Sequence, residues 1–132
     1  MKTYLRLAAC LSLALLFVVL GACRSTPVYN VQDAAIATGA TNANMRDVEK
    51  AIVRAGTSLG WSMKPAGSGS MIGTLNLRKH VAVVDIRYNT KTYSILYKDS
   101  QNLDYNGSSI HSNYNGWIQN LNRAIQAQFA TL

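Results

Sequence analysis

The chain is short of cysteine and short of acid. Its 132 residues hold two cysteines, and six Asp and Glu stand against 13 Lys and Arg. Two cysteines cannot staple a disulfide-stabilised miniprotein. Charged residues of both signs make up 14% of the chain against 48% hydrophobic, the reverse of the balance that keeps a chain disordered. One long apolar run is too few for a polytopic membrane protein, and the length leaves room for one domain and not for a multidomain enzyme. There is no His-x-x-His, no cysteine pair at metal-binding spacing and no Gly-x-Ser-x-Gly on a strand-to-helix turn, the setting a nucleophile elbow needs. Internal repeats and low-complexity stretches are missing as well.

What is there begins at the amino terminus. Lys2 and Arg6 precede residues 7–20, a stretch of 14 without a charge. A helix needs about 20 such residues to span a bilayer core. The run fits instead the apolar region of a secretory signal, typically about 7–15 residues. Leu20-Gly21-Ala22-Cys23 then resembles the bacterial lipobox, an aliphatic residue and two small ones before an obligatory cysteine. Small side chains let a peptidase reach the bond before Cys23, and its thiol can carry a thioether-linked diacylglycerol. The resemblance implies cleavage after residue 22, lipid on Cys23 and a further acyl chain, palmitate or similar, on the new amino group. One chain holds a protein only marginally at about 0.8 kcal/mol per methylene, whereas two or three anchor it for good. Arg24 occupies the position where Asp would favour inner-membrane retention, so the implied address is the inner leaflet of the outer membrane, facing the periplasm.

This address changes the arithmetic. Cys10 leaves with the signal peptide (residues 1–22) and Cys23 is capped, so no disulfide, cysteine nucleophile or thiolate metal site is expected. The remaining 110 residues carry 11 basic and 6 acidic side chains, a charge of +5 rather than +7. An exported chain meets no nucleic acid. Its basic excess suits anionic lipid, polysaccharide or an acidic protein loop.

Residues 23–43 read as a lipid-anchored tether and loop, with a brief strand over residues 28–31. Residues 44–132 read as a single domain. Met45, Val48, Ile52, Ala55 and Leu59 recur at three- and four-residue steps and predict a helix over residues 44–59, closed by Gly60. Strands are expected near residues 61–66, 70–77, 81–88 and 93–97. The apolar face changes phase from Met71, Leu75 and Leu77 to Ala82, Val84, Ile86 and Tyr88, which implies a reversal near Arg78-Lys79-His80. A polar loop over residues 99–107 leads to a last helix from about Ile110, striped by Ile110, Tyr114, Trp117, Ile118, Leu121, Ile125 and Phe129. The predicted fold is α+β: an antiparallel three- to four-stranded meander packed against an N-terminal and a C-terminal helix.

Several of these residues, among them Gly60-Trp61, Gly73-Thr74-Leu75, Ala82-Val83-Val84-Asp85-Ile86-Arg87-Tyr88, Asn102-Leu103, Ile110-His111 and Tyr114-Asn115, form a pattern. It is similar to a family of small, uncharacterised proteobacterial lipoproteins. The resemblance spans nearly the whole mature chain and implies the fold unit and the envelope address, with no activity to carry over.

Arg78, His80, Asp85, Arg87, Ser100, Asn102 and His111 are the polar residues marked as a candidate binding surface. A hydrolase would use His80 or His111 with Asp85 and Ser100. The ordinary reading places His80 at a strand end and His111 in the first turn of a helix. No catalytic residue, cofactor or metal is assigned. The expected role is a non-catalytic, lipid-anchored binding protein of the envelope, and the alternative is a structural accessory in outer-membrane assembly or integrity.

Overall fold

The computed structural model describes residues 24–39 and 42–132. The stretch read as a signal peptide and the expected lipidation site Cys23 lie outside the described residues. In chain order the elements are β1 (Ser25–Pro27), β2 (Val31–Ala35), α1 (Met45–Ser58), β3 (Ser62–Pro65), β4 (Ser70–Leu77), β5 (His80–Tyr88), β6 (Thr92–Gln101), β7 (Ser109–His111) and α2 (Ser112–Phe129).

The first helix begins and ends where its sequence says it should. The Asn44 side chain accepts from the Asp47 amide at 3.0 Å, and the Asp47 carboxylate accepts in return from the Asn44 amide. At the other end Gly60 takes φ +85°, so its amide reaches Thr57 O at 3.1 Å and the Trp61 amide reaches Gly56 O at 3.0 Å. A side chain at Gly60 would strain this left-handed turn.

β3 to β6 form the expected antiparallel meander, and the β4–β5 reversal is a two-residue turn, Arg78-Lys79, with Leu77 opposite His80. The brief strand expected over residues 28–31 is not formed as such: two strands, β1 and β2, lie on either side of residues 28–30, and β7 takes up Ile110 and His111, where the last helix was expected to start. β2 adds a fifth strand outside β6, giving the order β2-β6-β5-β4-β3, while β1 pairs with β7 in a separate two-stranded sheet. β1 and β2 therefore lie within the stretch read as tether and loop. β6 also runs on through Asp99 and Ser100, which were expected in the loop. A register shift between its pairings with Val83 and Val84 breaks the alternation that would have marked them.

Both helices cover one face of the five-stranded sheet. Ile52 and Ala55 of α1, Ile118, Leu121 and Ile125 of α2, and Met71, Val84, Ile86 and Ile95 of the sheet are fully buried together. Neither described helix is long and apolar enough to cross a membrane.

Asn115 ties the N-terminal segment to α2. Its Nδ2 donates to Thr26 Oγ1 at 2.9 Å and Pro27 O at 2.8 Å, and its Oδ1 accepts from the Tyr29 amide at 3.0 Å. Asn115→Leu removes all three bonds and is expected to cost about 1–3 kcal/mol. Hydrogen exchange at the Val28 amide, bonded to Ser108 O, should accelerate more than exchange in β4 or β5.

Candidate functional site

The alternation of β5 divides the candidate residues. His80 shares the helix-covered face with Ala82 and Val84, whereas Asp85 and Arg87 point to the other face. There Asp85 pairs with Lys98 at 3.5 Å, opposite Leu96. Ser100 pairs with Ala82 on the helix side, and its hydroxyl lies 2.8 Å from that of Tyr97. Arg78 occupies the β4–β5 turn at φ +57°.

His80, Asn102 and His111 do come together. The two imidazoles stack with centroids 6.3 Å apart, and the Trp117 ring of α2 lies 6.1 Å from His80. His80 Nδ1 sits 2.7 Å from Asn102 O. A carbonyl only accepts, so that nitrogen carries the proton. The Asn102 side chain in turn donates to Lys79 O at 2.6 Å. His111 works in the opposite sense, because its Nδ1 accepts from the Asn113 amide at 3.2 Å and caps α2. Both histidines thus hold backbone: one fixes the β6 end to the hairpin, and the other starts a helix.

A hydrolytic relay would need an acid, a histidine and Ser100 in line. Asp85 lies across the sheet from the histidines and is engaged by Lys98, and Ser100 is hydrogen-bonded to Tyr97. Among the described residues no three His, Cys, Asp or Glu side chains gather around a possible metal position.

Beside the histidine cluster, the β6–β7 loop encloses an open, polar groove of about 720 Å³. Its wall is the stacked pair Tyr97 and Tyr105, with centroids 4.1 Å apart. Asn102 and Asp104 hold the loop in left-handed conformations at φ +56° and +52°. Sequence reading missed Tyr105 and Trp117 as parts of this corner. Trp117 was read as one more member of the apolar stripe of the last helix, whereas it is half-buried on its flank beside His80.

Behind the groove, Tyr114 is fully buried and meets Tyr97 edge-on at 5.6 Å. Its hydroxyl has no hydrogen-bond partner among the described residues. Burial raises its pKa, as it does for Tyr93 and Tyr97. Tyr88 is pushed up from 10.0 to about 12 by burial and by its hydrogen bond to the Glu49 carboxylate. These phenols hold their protons more tightly folded than unfolded. Their stabilisation is therefore complete below pH 10 and is lost as the pH rises toward and through the folded values. Tyr114→Phe should leave the fold neutral or up to about 1 kcal/mol more stable, because an orphaned hydroxyl is removed. It should also flatten the alkaline decline. Urea midpoints measured on either side of pH 10 check both effects.

The uncovered sheet face is the other surface of interest. Across β3, β4, β5 and β6 run the rows Lys64–Ile72–Asp85–Leu96 and Ser62–Thr74–Val83–Asp99. Ile72, Val83 and Leu96 are only half-buried there. No family model, curated protein or solved structure matches the chain.

Proposed function

We propose that the chain is a lipid-anchored envelope lipoprotein, of the kind its sequence resembles, whose domain holds a protein or envelope-polymer partner in the periplasm without catalysing a reaction. The observation that carries this reading is the open sheet face. Both helices lie on one side, so Ile72, Val83 and Leu96 on the other side keep aliphatic surface in contact with water. Lys64, Arg87 and Lys98 rim them, with Asp85 and Asp99 between. A mixed apolar centre with a charged margin suits a macromolecular contact better than a small substrate.

Docking by strand addition has little support from the sheet edges. β3 carries Lys64 and ends at Pro65, which has no amide proton to offer. β2 is interrupted by a register shift between Val31 and Ala34, with Asp33 at φ +48°. Both features blunt an edge against further pairing. The lipobox supplies the address, the inner leaflet of the outer membrane.

The test is crosslinking in intact cells from a photoreactive residue at Leu96. A discrete adduct is expected, lost with Ile72→Glu on the same face and not seen from Lys50 on exposed α1. No adduct from Leu96, or equal adducts from Lys50, overturns the reading.

A further inference from the structure

We propose that the pole carrying the β4–β5 hairpin lies against the membrane, with Arg24, Arg78 and Lys79 on anionic phospholipid headgroups and Leu77 and Leu59 at the edge of the apolar layer. The proposal rests on the lipid anchor at Cys23 and adds an orientation to it.

The first argument is reach. Only Arg24 separates Cys23 from β1, and two residues of extended chain cover at most about 7 Å. β1 is fixed to the body of the domain: Ser25 pairs with His111, and the Ser112 amide donates to Arg24 O at 2.9 Å. The headgroup layer is itself about 5–7 Å thick on each side of a bilayer. A lipid on Cys23 therefore leaves no spacer, and the structure around His111 must meet the headgroups.

The second argument is what surrounds His111. Its ring stacks on His80, which stands opposite Leu77 at the base of the hairpin turn. The turn is braced from behind by Asn102, whose side chain holds Lys79 O. Arg78 and Lys79 form the tip, so two cations project at the same pole as Arg24; Asp104 of the neighbouring loop is an acidic residue close by. Leu77 is 45% exposed and Leu59 41%, and these are the two aliphatic members of the exposed large apolar side chains in the described residues. Leu59 shares a small cleft with Leu75 and the half-buried Trp117. Tryptophan, exposed aliphatics and basic residues on one surface match the chemistry of a membrane interface. β4 and β5 then run outward from the membrane for about 25 Å, which leaves the open sheet face clear of the bilayer along its length.

The experiment uses the lipidated chain in vesicles of phosphatidylcholine with phosphatidylglycerol. Leu77→Cys provides a thiol for an environment-sensitive fluorophore, and Lys91→Cys provides one at the opposite end of the sheet. Brominated lipid should quench the probe at Leu77 and spare the one at Lys91. Arg78→Gln with Lys79→Gln should shift the docked-to-free ratio about thirtyfold toward free, or about 2 kcal/mol. Equal quenching at both positions overturns the orientation. Undiminished contact on phosphatidylcholine alone overturns the role of headgroup charge. A chain whose mass carries no fatty acid overturns the anchor and the orientation together, whereas an anchored chain with a water-exposed Leu77 probe overturns the orientation alone.

Discussion

Phe129→Ala is expected to cost about 3–5 kcal/mol, much of the stability a domain of this size possesses. Phe129 closes the far end of α2 and is 1% exposed. Its ring meets Tyr93 edge-on at 5.3 Å, and the Tyr93 hydroxyl is hydrogen-bonded to Asn122, about two helical turns before Phe129. Truncation would open a cavity between α2 and β6 and leave Tyr93 without the partner that fixes its ring. β2 depends on the same corner, since its Ala34 pairs with Tyr93. The loss should appear as a lower urea midpoint with an unchanged denaturant slope. Phe129→Leu keeps most of the volume and should cost about 1.5 kcal/mol or less. A similar loss in both variants would mean that packing at this corner is not what holds α2 down.

The meander and both helices were legible because each has one clean period. The stripe from Met45 to Leu59 needs no partner to be recognised, and the phase change between Leu77 and Ala82 places a reversal where Arg78-Lys79 makes it. β1, β2 and β7 were not legible for the opposite reason. Three residues such as Ser25–Pro27 contain no period, and their place comes from partners far along the chain, above all the Asn115 side chain. In β2, a bulge at Asp33 removes what alternation five residues could show. The candidate site was half legible. The same rule that puts Ala82 and Val84 on one face sets Asp85 and Arg87 on the other, and so already separates them from His80. No spacing in the sequence joins His80 to His111. Their contact depends on the loop after β6, where Asn102 O meets His80 Nδ1 and Leu103 O accepts from the His111 amide at 2.8 Å.

Cys23→Ser should abolish fatty-acid labelling of the chain and leave residues 1–22 attached, because processing before this residue depends on its lipid. Intact mass and metabolic labelling with a tagged fatty acid measure both changes. The uncleaved apolar run could hold the precursor at the membrane by itself. A second variant therefore carries the same substitution behind an ordinary cleavable secretion signal. This lipid-free domain should then leave the membrane fraction for the periplasmic one, since it has lost the acyl chains that would hold it. Its urea midpoint should match that of the lipidated chain, because Cys23 precedes β1 and lies outside the described core. Salt separates the two forces that act at this pole. Attraction between Arg24, Arg78 and Lys79 and anionic headgroups is screened within about 8 Å at physiological ionic strength and about 3 Å at 1 M. An acyl anchor, held by the burial of methylenes, is indifferent to that change. Binding of the wild type that survives molar salt, with residual binding of the lipid-free domain that does not, would assign retention to the lipid and orientation to the basic hairpin. Salt-resistant binding by the lipid-free domain would instead mean that Leu59, Leu77 and Trp117 hold it to the surface unaided.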